Sequence, residues 1–214
     1  RFPADNCFHL SLVVPYNTGT RIGETFAIDL SQDVDFEKHE LRIHGQMQKV
    51  EKTWYIKPPK YDSYRTIKMG ETLEKELKFA IQQRRINKLK YGGAYSKTYL
   101  LPDRSIAQIR ADIDVPYKEI LPLCVKENGA LLTPDSFKYC ARIIHYELNN
   151  PLFHAHCLRH THGTILAENG VNPKTVMERL GHKDITTTLQ TYTFNTDAMQ
   201  QTAVDVFENA IQTQ

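Results

Sequence analysis

Hydrophobic spacing divides the chain into a helical beginning, a β-rich middle and a helical end. Residues 8–16 (FHLSLVVPY) form a short apolar run before the break Asn17-Thr18-Gly19, too short for periodicity to separate helix from strand. Beyond the break, Ile22, Phe26 and Ile28 or Leu30 recur at helical spacing, which starts a helix beside the turn with Arg21 at its head. From residue 40 to 69 the period shortens. The β-forming runs 41–44, 53–56 and 64–69, punctuated by Gly45 and Pro58-Pro59, predict a small three-stranded antiparallel sheet.

A long helix follows over residues 71–89, with Leu73, Leu77, Ala80 and Ile81 on one face and a basic run, Arg84 to Lys90, read as a solvated helix end. Residues 94–128 offer turn signals and only short apolar runs. Thr133 then caps a helix with Pro134 at its first position and a stripe of Phe137, Ala141, Ile144 and Leu148. Another helix ends at Asn169-Gly170, and the next runs from Asn172-Pro173 to Gly181 with Val176 and Leu180 inward. Asp184 caps a segment carrying Thr186, Leu189 and Tyr192, and a tail over 195–214 spaces Met199, Val206, Phe207 and Ile211 as an amphipathic helix. The class is mainly α, of α+β type.

Composition adds bounds. With 214 residues, 41% of them hydrophobic, the chain can bury a full core as one large domain or two small ones, and no linker forces a division. The net charge of +2 leaves a nucleic-acid partner open, because positive charge can gather on one face without showing in the sum. No run of about 18 apolar residues and no signal pattern is present, so a soluble intracellular protein is expected. Cys7, Cys124, Cys140 and Cys157 are dispersed, without the Cys-x-x-Cys pairs of a zinc ribbon, and read as reduced core thiols.

The chemistry gathers in the last third. His156 and Arg159 form a His-x-x-Arg pair, Leu180-Gly181-His182 a turn, and Tyr192 follows ten residues after that histidine. Arg159 offers a planar fork for two phosphate oxygens, and the histidines can donate hydrogen bonds or move protons near neutral pH. A tyrosine of pKa about 10 can attack phosphorus if a base and a stabilised pentacoordinate state are supplied. Arg21 adds a cation at a helix start, where the dipole disfavours it and a shared anion explains it. Lys60 lies in the turn before the third β run, with Lys57 in reserve. Singly, these read as a solvated face, a helix stop, a core edge and a turn lysine. His154, His156, His160 and His162 suggest metal, yet they diverge on a helix without acids or cysteines to complete a site, so no metal is expected and His160 is taken as structural. Two helices meeting at Gly181-His182, with Thr186, Thr187, Thr188 and Gln190 to read bases, also suit a helix-turn-helix regulator.

Together the run His156-Cys157-Leu158-Arg159-His160-Thr161, the Leu-Gly-His turn, the following tyrosine and the box Thr18-Gly19-Thr20-Arg21-Ile22-Gly23-Glu24 resemble the tyrosine recombinases, the phage and transposon integrases. The motifs run from Arg21 to Tyr192 in the family's order. The resemblance implies a helical catalytic domain with a small three-stranded sheet over residues 1–214, separated from the N-terminal DNA-binding domains of a longer protein. It implies a bacterial, cytoplasmic, site-specific recombinase that integrates or excises a mobile element. Tyr192 would form a 3′-phosphotyrosyl link to double-stranded DNA, and Arg21, Arg159 and His182 would stabilise the transition state. His156 would serve as base, Lys60 as acid toward the leaving 5′ oxygen, and Glu24 as support. Neither ATP, metal nor any other cofactor is implied, and the tail would dock on a neighbouring protomer. Cys157 departs from the acidic or polar residue of many relatives. The competing readings are a type IB topoisomerase and a non-catalytic helix-turn-helix binder.

Overall fold

The computed structural model describes residues 1–183 and 197–212. The first apolar run is a helix, α1 (His9–Thr18), which closes at Gly19 in the left-handed region, φ +70°. A side chain at Gly19 would collide with Leu180 and His162, so glycine here meets both a backbone and a packing requirement. Arg21 is the residue before α2 (Ile22–Ala27), as its position beside the turn predicts.

All three β-forming runs become strands, but their pairing differs from the expected single sheet. β2 (Glu40–Ile43) pairs antiparallel with β5 (Arg65–Lys68), Leu41 opposite Ile67, and the third strand of that sheet is the short β1 (Val34–Asp35). The run at 53–56 instead forms β4 (Thr53–Lys57) in a separate hairpin with β3 (Gln46–Val50), Met47 opposite Ile56. Its turn, Glu51-Lys52, carries none of the glycine or asparagine that marks two-residue hairpins, although Glu51 takes φ +52°.

α3 (Glu71–Tyr91) buries Leu73 and Leu77, each contributing about 2 kcal/mol by apolar burial. Its basic end is not all solvated. Arg84 bonds the carbonyls of Pro122 and, at 2.8 Å, Leu123, tying the helix to the segment that carries those residues. The featureless stretch 94–128 folds as a second sheet in the order β7-β6-β8, from β6 (Ser96–Leu100), β7 (Ile106–Arg110) and β8 (Lys118–Ile120). Arg104 Nε donates to the Ile56 carbonyl (2.7 Å), which joins this sheet to the hairpin.

α4 (Pro134–Glu147) starts at Thr133 and buries Phe137 and Ile144, but it ends before Leu148, which is exposed. These elements share one apolar core that includes Val14, Phe26, Leu41, Leu73, Leu77, Phe137 and Cys140. α5 (Ala155–Glu168) and α6 (Pro173–Leu180) keep the boundaries read from Asn169-Gly170, Asn172-Pro173 and Gly181. Val176 and Leu180 form a second, smaller cluster with Leu166, Ala167 and Val171. α7 (Asp197–Gln212) exposes Val204, Val206, Phe207 and Ile211. Cys124 and Cys140 are buried free thiols, but Cys157 is not a core residue: its Sγ lies 2.5 Å from His154 Nδ1 at the start of α5. No helix among the described residues is long and apolar enough to cross a membrane.

A polar clamp ties the smaller cluster to the larger. Arg179, in the last turn of α6, donates to His162 Nε2 (3.0 Å), to the Asn17 carbonyl (3.1 Å) and to the Lys68 carbonyl (3.1 Å). His162 Nδ1 in turn lies 2.9 Å from the Tyr16 carbonyl. A ring nitrogen that receives an arginine N–H cannot carry its own proton, so His162 is neutral with the proton on Nδ1. His162 is therefore a structural histidine of α5, whereas His160 is exposed. Burial first, then the Arg179 charge, pushes its pKa down to about 4 against the opposing bond from Tyr16. A depressed folded-state pKa stabilises the fold above the unfolded value near 6.5, and that contribution is lost as pH falls through about 4. The melting temperature should accordingly drop between those values, with at most about 3 kcal/mol of stability lost from this residue. His162→Phe should melt lower at pH 7 and show a flatter acid limb in pH-dependent calorimetry.

Candidate active site

The site is built on carbonyls at the C-terminal ends of α1 and α6. α6 ends in a Schellman motif: the Gly181 N–H bonds the Glu178 carbonyl (3.1 Å) and the His182 N–H bonds the Met177 carbonyl (3.1 Å), with Gly181 at φ +70°. This turn leaves carbonyls of the last helical turn facing outward, at the negative end of the helix dipole. Arginines occupy them. Buried Arg159 donates from Nη1 to the carbonyls of Gly19 and Leu180, both at 2.7 Å. Arg21 Nη2 takes the next carbonyl, Gly181, at 2.9 Å. Arg65 Nε takes that of Arg179 at 2.8 Å.

Glu24 is the carboxylate among these charges, with a side chain fully buried between Arg21 and Arg65. It accepts from Arg21 Nη1 (2.7 Å), from the Arg21 backbone N–H (2.9 Å) and from Arg65 Nη2 (2.8 Å). Burial alone would raise its pKa, yet the hydrogen bonds and charges of Arg65 and Arg21 outweigh it and hold the carboxyl below its ordinary range. Breaking such a buried network by removing one partner leaves an uncompensated charge. Arg21 is thus aimed by the Glu24 carboxylate, the Gly181 carbonyl and the Ser63 hydroxyl, which accepts from its Nη1 at 3.3 Å, and this explains a cation at the head of α2.

The two histidines sit within this field. His182 is pushed down to about 4 by burial first and then by the charges of Arg159, Arg21, Arg65 and His160. His156 is also lowered, first by partial desolvation and then by Arg159, its neighbours His160 and His154, and Arg21. Both are therefore neutral at pH 7, the form in which His156 can accept a proton. An anion bound among the arginines would offset the charges that depress them.

Arg21, Glu24 and Arg159 thus meet at the Leu180-Gly181 turn, and His156 and His182 lie near enough to feel the charges of Arg159 and Arg21, although these residues come from the start of α2, from α5 and from the end of α6. Lys60 stands apart on an exposed turn, its Nζ 4.9 Å from the Tyr61 ring centre. Lys57 ends β4, with its Nζ 5.9 Å from the Tyr55 ring. Tyr192 lies outside the described residues, as do Asp184, Thr186 and Leu189. Among the described residues no group of three or more His, Cys, Asp or Glu side chains is arranged to hold a metal ion.

Three residues of the site belong to none of the sequence motifs: Arg65, Arg179 and Ser63. Arg65 has a signal, because strand alternation puts it on the face of Ile67, which is buried. Arg179 has a weaker one, a cation in the last helical turn. Ser63 has none.

Residues 5–199 match the model of the phage integrase family. A XerC-like tyrosine recombinase of Caldanaerobacter subterraneus subsp. tengcongensis is 28% identical over 207 residues, covering 92% of this chain and 48% of that protein. The transposase of transposon Tn916 from Enterococcus faecalis is 27% identical, covering 85% of this chain and 40% of that protein. The chain therefore spans about half the length of these relatives. Among solved structures, the Tn1549 transposon integrase in complex with transposon right end DNA superposes with a TM-score of 0.67 at 23% identity, over 94% of this chain and 59% of that one. XerA recombinase gives a TM-score of 0.57 at 17% identity, over 94% of this chain and 58% of that one. With residues 5–199 matching its model, the chain belongs to the phage integrase family.

Proposed function

We propose that this chain is the catalytic domain of a site-specific recombinase that cuts and rejoins double-stranded DNA through a 3′-phosphotyrosyl link, to integrate or excise a mobile element. The observation that carries the reading is the seating of Arg21 and Arg159 on the consecutive carbonyls of Gly181 and Leu180, with neutral His156 and His182 beside them. A DNA phosphodiester is an anion of the size and charge this cluster lacks. The relatives are named as recombinases, integrases and transposases, and neither a topoisomerase nor a regulator draws support from them.

In the proposed reaction the Tyr192 oxygen attacks phosphorus and its proton passes to His156. Arg21, Arg159 and His182 stabilise the charge on the equatorial oxygens. The bond to the 5′ oxygen breaks, and that oxygen takes a proton from Lys60. A 5′-hydroxyl of a partner strand reverses the steps, so the bond energy is kept in the link without ATP, metal or another cofactor. Glu24 holds Arg21 in place. The setting is the bacterial cytoplasm, where chromosome and mobile element meet. The exposed apolar residues of α7 are the surface through which protomers associate on DNA.

A pool of nicked duplexes with randomised cores, incubated in EDTA and run on a denaturing gel, tests the chemistry. Wild type should yield a covalent protein–DNA band and Tyr192→Phe none; equal bands would end the proposal. Arg21→Lys keeps the charge but cannot fork between Glu24 and Gly181, so adduct formation should fall roughly 10²–10³-fold while DNA affinity changes little. Truncation after Asn195 should reduce self-association on the selected duplex in sedimentation. Unchanged association would remove α7 as the contact.

A further inference from the structure

Ser63 attaches the turn that carries Lys60 to the arginine cluster. Before Lys60, Gln46 Nε2 holds the Pro58 carbonyl at 3.0 Å. Within the turn, the Asp62 N–H bonds the Pro59 carbonyl (3.0 Å) and the Tyr64 N–H bonds the Asp62 carbonyl (2.8 Å), contacts that tie the turn only to itself. Tyr61 and Asp62 both lie in the left-handed region, at φ +62° and +51°. Two successive non-glycine residues there cost on the order of 1–3 kcal/mol each and persist because the surroundings hold them. Lys60, Tyr61 and Asp62 are exposed, and the next residue, Ser63, is half-buried. The Ser63 hydroxyl accepts from Arg21 Nη1 (3.3 Å) and its carbonyl from Arg65 Nη1 (3.1 Å).

We infer that Ser63 is a positioning residue that couples the Lys60 turn to the phosphate-binding Arg21, so that acid and phosphate clamp are set in one frame. The inference rests on the proposed role of Lys60 as the acid. Arg21 Nη1 divides its donation between Glu24 and Ser63, so a guanidinium displaced from Glu24 also loosens the side-chain tie of the turn to the cluster. The carbonyl bond from Arg65 fixes the same residue from the β5 side and survives any side-chain change at position 63. Removing the hydroxyl therefore loosens Lys60 from Arg21 while leaving the backbone of the turn tied to β5.

The step that depends on this coupling is loss of the 5′ oxygen. As the tyrosine oxygen bonds to phosphorus, the phosphorus–O5′ bond breaks, and the departing oxygen gains a proton that leaves the Lys60 ammonium neutral. Sulfur in place of that oxygen leaves as a thiolate without the proton, because a thiol ionises near pKa 8.5 and a water-like hydroxyl near about 15.7. A defect confined to acid positioning is therefore mended by sulfur, whereas a defect in phosphate binding or in folding is not.

The experiment measures single-turnover adduct formation by wild type, Lys60→Ala, Ser63→Ala and Ser63→Thr. The probe is the nicked duplex selected from the randomised pool, synthesised with either oxygen or sulfur at the 5′ bridging position. On oxygen, Ser63→Ala should lose about tenfold, the worth of one hydrogen bond to a charged group, and Ser63→Thr should regain most of it. Lys60→Ala should lose roughly 10²–10⁴-fold. On sulfur, both alanine variants should return to within a few-fold of wild type. A Ser63→Ala defect that persists on sulfur while Lys60→Ala recovers would overturn the coupling, as would a wild-type rate for Ser63→Ala on oxygen. If Lys60→Ala itself fails to recover, Lys60 is not the acid and the inference falls with that reading.

Discussion

Everything at the site depends on guanidinium groups seated on helix C-terminal carbonyls. The last turns of α1 and α6 present oxygens that no helical N–H can satisfy, and Arg159 bridges the two ends by bonding Gly19 and Leu180 at once. Such a bond is charge-assisted and lies at the negative end of a helix dipole, so it is stronger than a neutral pair. Arg21 and Arg65 repeat the arrangement on neighbouring carbonyls. The same contacts hold α6 to the body of the fold and aim cations at one place. Structure and chemistry share one set of bonds.

The close approach this requires explains the left-handed glycines that end α1 and α6. A side chain on Gly19 would meet Leu180 and one on Gly181 would meet Arg65, so the first glycine clears room for the residue whose carbonyl Arg159 bonds and the second for a seated arginine itself. The Leu180 side chain belongs to the smaller apolar cluster and its carbonyl to the site. Apolar burial therefore sets how far α6 can approach, and the arginines set its angle. The repulsion among so many gathered cations is offset by Glu24, whose carboxylate is buried because it is shared.

Much of this arrangement is legible in the amino-acid order alone. The helix boundaries at Asn172-Pro173 and Gly181 rest on backbone rules that tertiary context does not override, and the arginine and histidine positions follow from order and spacing. Strand pairing is not legible, because the Glu51-Lys52 turn lacks a sequence marker and the partner strand β3 is largely polar. The sheet at 96–120 is hidden for a related reason: its strands are three to five residues long. Arg65 and Arg179 touch carbonyls supplied by distant elements, which no local pattern can announce. Cys157 reads as a core thiol and is not one, because its contact, His154, arises only when α5 begins at Ala155.

The net charge of +2 also takes on a different meaning once the pairs are placed. Away from the site, many cations have an anion at hand: Lys90 with Glu127, Arg110 with Asp112, Lys97 with Glu119, Lys49 with Asp135. At the site Arg21, Arg65, Arg159 and Arg179 gather with Glu24 as the carboxylate among them, and the nearby histidines are neutral. A nearly balanced sequence can therefore carry a concentrated positive field, because the balance is struck locally on the rest of the surface. Burial first and then that field depress the histidines, and in the proposed complex a bound phosphate would relax the field. In the proposed reaction, the cations that would attract the phosphate also help to keep His156, the proposed base, deprotonated until it arrives.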